Sequence, residues 1–381
     1  MHEPDDLFAA RHYADVRRPL GEAFNLPPWC YTSKRFFDRE VEKLFGKVWN
    51  FVGRSDRIAK PGDFFTCEVA TVPLLIARGA DGEARAFANT CRHRGCPVAR
   101  GEGNVRAFVC PYHSWTYSTA GALMTAPDMD GLVGFDPEEY GLIPVKLESW
   151  GGFMFVNLDP NSSSLADYLG NLPMLLGDYD CSRMALGRRV EYDVACNWKF
   201  YVENLKDAMH IPTVHRNSIS RYAPVKKFWR EVQKTNGNMV STFMGYPASA
   251  MLFPDDAGFP PIKGLDMEKA GTTAPLIFPN LYISCTVDGA WYIHVNPVAP
   301  DRIKLEQGAL FPVASLNRPD KDEVLPRYFR RLDMTQAEDN EICALQHVGI
   351  SSPLSRQGRY GTKEALVHQT VNWILDRVLD A

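Results

Sequence analysis

Apolar residues in the segment 34–48 (KRFFDREVEKLFGKV) fall at Phe36, Phe37, Val41, Leu44, Phe45 and Val48, the spacing of one buried face of an amphipathic helix. From Trp49 to about Leu158 that period gives way to short alternating or apolar runs broken by Gly, Pro and Asp. Residues 64–69, 72–77, 84–88, 105–109 and 152–156 predict strands, with turns at Pro61-Gly62 and Ala80-Asp81-Gly82. A polar stretch, DPNSSS from Asp159, marks the end of this all-β region. Beyond it helices and strands mix. Residues 198–210 predict a helix, and 238–244, 281–287, 291–296 and 304–313 predict antiparallel strands. Residues 364–379 place Leu366, Val367, Thr370, Val371, Ile374 and Val378 on one helical face. The expected fold class is α+β: an all-β domain over 45–158, a mixed domain over 159–381 with sheet packed on helices, and a segment 1–44 packing on the mixed domain.

Composition narrows the function only by exclusion. A chain of 381 residues, 45% of them hydrophobic, fills two cores. Its 42 basic and 46 acidic residues give a net charge of −4, which argues against a nucleic-acid partner. No apolar run in the first thirty residues is long enough for a secretory leader or a membrane span. The nine cysteines are scattered and odd in number. A reduced, cytoplasmic protein with no membrane partner is the expectation.

Two mixed knuckles carry the first chemistry. Cys91-Arg92-His93 and, sixteen residues on, Cys110-Pro111-Tyr112-His113 each offer one thiolate and one imidazole. Zinc fingers pair Cys with Cys and His with His; here each loop can give one ligand to each iron of a Rieske-type [2Fe-2S] cluster. Gly95 and Pro111 favour tight turns that aim backbone N–H groups at the sulfurs. Respiratory-type Rieske proteins link their loops by a disulfide. Cys96 offers one half, but Tyr112 stands at the matching position, so that bridge cannot form.

A second constellation follows. Glu203, Asp207 and His210 share a face if the 198–210 helix is continuous. Pro212, between His210 and His215, breaks the helix and lets both imidazoles turn toward one point. Two His plus one carboxylate, with positions left open, is the donor set of non-heme Fe(II) oxygenases. An electron-transfer protein without oxygenation would need the cluster but not His210 and His215.

Taken together, Cys91-x-His93, Cys110-x-x-His113, Asn197-Trp198-Lys199 and Glu203-Asn204-x-x-Asp207-x-x-His210-x-x-x-x-His215 resemble the alpha (terminal oxygenase) subunit of Rieske non-heme iron oxygenases. The resemblance extends over nearly the whole chain, including Leu26-Pro27-Pro28 and residues 45–54. It is nearest the branch that includes choline monooxygenase and glycine betaine demethylase. It implies a Rieske β-sandwich joined to a helix-grip catalytic domain of START or Bet v 1 type. It assigns Cys91, His93, Cys110 and His113 to the cluster. His210 and His215 then hold Fe(II) with a later Asp, which falls on Asp339 in the segment Gln336 to Cys343. Glu338 and Glu341, its competitors, are expected to be solvated helix residues. Asp207 becomes the carboxylate that carries electrons between subunits, with Glu203 and Asn204 as possible support. A head-to-tail homotrimer, or a dimer of trimers, is implied. Ser114 departs from the family's usual Gly but removes no ligand.

There is no G-x-G-x-x-G fingerprint and no plant-ferredoxin Cys spacing, so NAD(P)H acts only through a separate reductase, with or without a ferredoxin. Dioxygen is the co-substrate. The expected reaction is hydroxylation or oxidative demethylation of a small organic molecule, a quaternary ammonium compound being favoured over an aromatic or aromatic acid. Trp291, Tyr292, Phe243 and Tyr282 are candidates for an aromatic cage, and Arg221, Lys226 and Arg230 for a carboxylate site.

Overall fold

A computed structural model describes residues 3–222, 231–245 and 248–379. It contains two compact units, Phe45–Leu165 and the remainder formed by Met1–Leu44 with Ala166–Ala381. Among the described residues no helix is long and apolar enough to cross a membrane. Lys226 and Arg230 lie outside the described residues.

The Phe45–Leu165 unit is all-β apart from short helical turns. Its strands are β1 (Asn50–Arg54), β2 (Asp63–Val69), β3 (Val72–Arg78), β4 (Ala84–Ala88), β5 (Glu102–Asn104), β6 (Ala107–Val109), β7 (Thr116–Ser118), β8 (Leu123–Thr125), β9 (Pro144–Trp150) and β10 (Phe153–Asn157). They form a seven-stranded sheet, β1-β10-β9-β4-β3-β2-β5, and a three-stranded sheet, β6-β7-β8. The strand expected over 105–109 is interrupted because the chain changes sheets there: β5 pairs with β2, and β6 with β7. Between them Val105 N–H donates to the Gly62 carbonyl at 2.9 Å. Gly62 sits at φ +88°, where a Cβ would meet the Val105 carbonyl at 2.5 Å, so this turn needs glycine.

The larger unit is built on β11 (Met184–Val194), β12 (Glu231–Gln233), β13 (Met239–Met244), β14 (Thr272–Ile277), β15 (Leu281–Cys285), β16 (Ala290–Ala299) and β17 (Arg302–Pro312). All are antiparallel in the order β11-β17-β16-β15-β14-β13-β12. Its helices include α1 (Lys34–Arg39), α2 (Trp198–Asn204), α3 (Ile211–Val214), α4 (Lys321–Ile350) and α5 (Ala365–Val378). Helix α1 is capped by Ser33, which accepts from Phe36 N–H, and continues into a wider π-helical turn over Glu40–Phe45. All six positions expected to be buried on α5 are buried. The α+β expectation therefore describes the chain.

Helix α2 is held by its own first residues. The Asn197 side chain accepts from Lys199 N–H, and Lys199 Nζ reaches Glu40 Oε1 at 2.7 Å with both side chains fully buried. Trp198 Nε1 donates to the other Glu40 oxygen at 3.0 Å. Burial pushes the Glu40 carboxyl up, and Lys199 and Trp198 oppose that shift. Removing one partner strands the other charge. Lys199→Met is expected to cost about 3–5 kcal/mol, read as a lower unfolding midpoint. A midpoint equal to the parent's would show that Glu40 is neutral and the pair dispensable.

Candidate functional site

The two knuckles fold alike. In the first, Cys91 N–H donates to the Cys96 carbonyl at 2.8 Å and Gly95 N–H to the Cys91 carbonyl at 2.9 Å. In the second, Cys110 N–H donates to the Trp115 carbonyl at 2.8 Å and Ser114 N–H to the Cys110 carbonyl at 3.1 Å. Gly95 and Ser114 occupy matching places, at φ +74° and φ +59°. Glycine is the easy residue for that geometry, so Ser114 carries backbone strain that Gly95 avoids.

Both thiols are buried in the apolar cluster of Phe64, Phe87, Phe108, Trp115 and Tyr117, whereas His93 and His113 are exposed. The two imidazole rings lie 4.6 Å apart, and His93 stacks on Trp115 at 5.1 Å. Thiolates inside and imidazoles outside is the polarity a Rieske cluster needs, one iron held by sulfur and the other by nitrogen. Tyr117 completes the pocket: its hydroxyl stands 3.2 Å from Cys91 Sγ and accepts from Arg92 N–H at 2.9 Å. Nothing in the motif spacing pointed to Tyr117. All nine cysteines are free.

The expected 198–210 helix stops at Asn204, which corrects the picture of Glu203, Asp207 and His210 on one helical face. Asp207 Oδ1 instead accepts from Met209 N–H at 2.6 Å, a local side-chain turn that competes with helix. Pro212 then opens a new helix rather than breaking an old one. It lies in the first turn of α3, where its missing N–H costs nothing. His210 and His215 stand at the two ends of this single turn, their Nε2 atoms 3.3 Å apart.

Helix α4 supplies the carboxylate. Asp339 Oδ1 is 3.2 Å from His215 Nε2 and 3.7 Å from His210 Nε2. One ligand atom from each of the three lies within 4.8 Å of the others. Two neutral nitrogens and one anionic oxygen converging at that spacing suit a single divalent ion with open positions.

Around the triad each side chain has a partner that orients it. Asn204 Nδ2 donates to Asp339 Oδ1 at 2.9 Å. Glu338 is not a solvated residue: its Oε2 lies 2.7 Å from His215 Nδ1 and accepts from Ser218 Oγ at 2.5 Å. Its place directly before Asp339 was the only available signal. Glu341 is exposed, as expected. Asp207 Oδ2 approaches His210 Nδ1 at 3.5 Å, a nitrogen that otherwise has no hydrogen-bond partner. Burial raises the Asp207 carboxyl, but His210 and the Met209 N–H outweigh it and hold the group below its usual range. Glu203 lies further out and accepts from Tyr31 OH at 2.9 Å; burial pushes its carboxyl up to about 8.

The four cage candidates do not make one cage. Strand register puts Tyr282 and Trp291 on one sheet face, their rings 5.2 Å apart. Tyr292 and Phe243 point to the other face, where Tyr292 OH donates to Glu306 Oε1 at 2.7 Å. The side-chain period of two along a strand forbids neighbouring Trp291 and Tyr292 from facing the same ligand. Arg221 is exposed in the short Ile219–Tyr222 helix.

Residues 48–136 match the Rieske [2Fe-2S] domain family, and residues 181–380 match the ring hydroxylating alpha subunit (catalytic domain) family. Choline monooxygenase of Amaranthus tricolor is 29% identical over 361 residues, covering 92% of this chain and 76% of the relative. The glycine betaine monooxygenase oxygenase subunit of Pseudomonas aeruginosa is 35% identical over 208 residues, 54% of this chain and 48% of that one. A solved quaternary ammonium Rieske monooxygenase superposes with a TM-score of 0.80 at 24% identity, covering 93% of this chain and 95% of that one. That likeness shows a shared fold. A Rieske cluster and a mononuclear non-heme iron come with this pair of domains, and the donors described above suit both. The chain belongs to the ring-hydroxylating oxygenase alpha-subunit family and is an oxidoreductase that incorporates molecular oxygen.

Proposed function

We propose that this oxygenase oxidises a small quaternary ammonium compound at a carbon beside the nitrogen, with electrons from a separate reductase. The observation that carries this reading is the similarity to choline monooxygenase across 92% of the chain, joined to the Tyr282–Trp291 ring pair on the sheet face that carries Gln307. Gln307 Nε2 donates to Gln336 Oε1 on α4 at 2.9 Å, less than one turn before Asp339. Aromatic faces attract a methylated cation without needing a hydrogen-bond donor.

Cys91, His93, Cys110 and His113 hold the cluster within a domain spanning 45–158; His210, His215 and Asp339 hold Fe(II) in the 159–381 domain, on which segment 1–44 packs. When bound, the iron supplies dioxygen activation and the cluster supplies single electrons. The chain's own residues set the geometry. Glu338 and Ser218 fix the His215 ring from its far nitrogen, Asn204 turns the Asp339 carboxylate, and Asp207 addresses the far nitrogen of His210. Asp207 is the electron bridge to a neighbouring subunit in a homotrimer, and the free thiols suit a cytoplasmic setting.

Glu338→Ala is expected to weaken Fe(II) binding roughly 10- to 100-fold, the usual effect of removing a partner that orients a metal-bound His. Titrating iron-free protein with Fe(II) measures it; unchanged affinity would assign Glu338 a packing role only. For the substrate class, dioxygen uptake with a surrogate reductase is measured against choline, glycine betaine, carnitine and benzoate. Uptake coupled to product with at least one of the three ammonium compounds is expected. Coupled uptake with benzoate alone would overturn the reading.

A further inference from the structure

Helix α4 carries a cation that the chemistry above does not use. Arg331 lies two turns before Asp339, about 12 Å along the axis, and only part of its side chain remains exposed. Its Nη1 donates to the Leu252 carbonyl. Among the described residues no acidic side chain pairs with it, whereas its neighbour Arg330 meets Asp256 at 2.6 Å. Burial alone pushes the Arg331 guanidinium down to about 10, with no neighbouring anion to raise it. A guanidinium has five N–H donors, and withdrawing it from water with one carbonyl as acceptor is costly.

A second group points the same way. Trp291 Nε1 is buried without a hydrogen-bond partner. Trp291 packs against the cluster of Met251, Leu252, Phe311, Tyr328 and Leu332, so it borders the Leu252 segment that Arg331 binds. From Trp291 the contacts continue to Tyr282, over whose ring Lys206 Nζ stands at 4.9 Å. Lys206 belongs to the Asn204–Asp207 turn that contacts Asp339 and His210. The path runs from the triad, over the ring pair, to Arg331 and back along α4 to Asp339. These contacts border a region with aromatic faces, one orphaned N–H and, in Arg331, a cation with no acidic partner among the described residues.

We infer that this region holds a carboxylate subsite: Arg331, with the Trp291 N–H, binds the carboxylate of a substrate whose oxidised end lies at the His210–His215–Asp339 triad. Resting on the quaternary ammonium reading, this makes the substrate a betaine, bearing both ammonium and carboxylate, rather than an amino alcohol. Unpaired donors in a site reject ligands lacking the matching acceptor, so the preference is enforced as well as permitted.

The test measures binding to the cluster- and iron-loaded enzyme by calorimetry, with glycine betaine, carnitine, choline and benzoate as probes. Glycine betaine or carnitine is expected to bind at least roughly tenfold tighter than choline, and Arg331→Gln to erase that preference by weakening the carboxylate probes roughly 10- to 100-fold. Arg331→Lys keeps the charge but not the fork, and is expected to retain part of the preference; it carries the test if the Gln variant fails to fold. Choline binding as tightly as both betaines in the parent, or betaines binding Arg331→Gln as tightly as the parent, would overturn the subsite while leaving the ammonium reading in place. Benzoate binding that depends on Arg331, with no ammonium probe bound, would keep the subsite and overturn the ammonium reading.

Discussion

Asp207→Ala is expected to cut turnover at least roughly a hundredfold while leaving both the cluster and the mononuclear iron in place. The carboxylate is not one of the three converging donors; it stands 3.5 Å from the far nitrogen of His210. Held below its usual range, it is an anion at neutral pH and fixes the imidazole tautomer that leaves Nε2 free for metal. It is also partly exposed, with 23% of its side chain open. Loss of the carboxylate removes the orientation of His210 and, on the proposed assignment, the bridge as well. Two readouts separate this from simple iron loss: iron content per chain, and the rate at which a chemically reduced cluster is reoxidised by dioxygen and substrate. Normal iron with slow reoxidation is the expected pattern. Parent-rate reoxidation would assign Asp207 to local structure alone.

Asp339→Ala is the larger lesion. It removes the anionic donor from the triad and leaves two imidazoles, their Nε2 atoms 3.3 Å apart, with no charge to offset a divalent cation. The mononuclear iron is expected to be lost on desalting and oxygenation to fall to background, with the visible absorption of the cluster unchanged. Asp339 also accepts from Asn204, whose amide would then be left unsatisfied at the end of α2. Asn204→Ala is milder, since it frees the carboxylate without removing it. Retention of iron by Asp339→Ala would move the third ligand elsewhere, with Glu338 the nearest carboxylate.

Much of this was legible in the sequence because chemistry and period coincide there. The Cys/His knuckles announce themselves by residue type and spacing, and α5 by an apolar face that is buried at every expected position. Helix α4 shows where such reading stops. Its buried stripe runs Val324, Tyr328, Leu332, then Gln336, Asp339 and Cys343. The spacing continues, but the apolar pattern fails where the helix turns polar side chains toward the site. Strand β14 escaped for the opposite reason: all six residues are buried, so no alternation marks it, and Pro275 argues against a strand. Strand β11 is only half-buried through most of its length, and Gly187-Arg188-Arg189 interrupts its apolar positions. The continuous helix over 198–210 was wrong because Asp207 turns back on its own backbone, a local bond that helical periodicity does not register. The aromatic cage failed on strand parity, which depends on register and not on residue type.

The most direct test of two separate iron sites in one chain is quantitative iron and acid-labile sulfide analysis of the purified protein, with electron paramagnetic resonance of the dithionite-reduced form. About three irons and two sulfides per chain, with a Rieske-type signal from the reduced cluster, is the predicted result. About two irons with no further metal at the His210–His215–Asp339 triad, or zinc without cluster absorption, would contradict it.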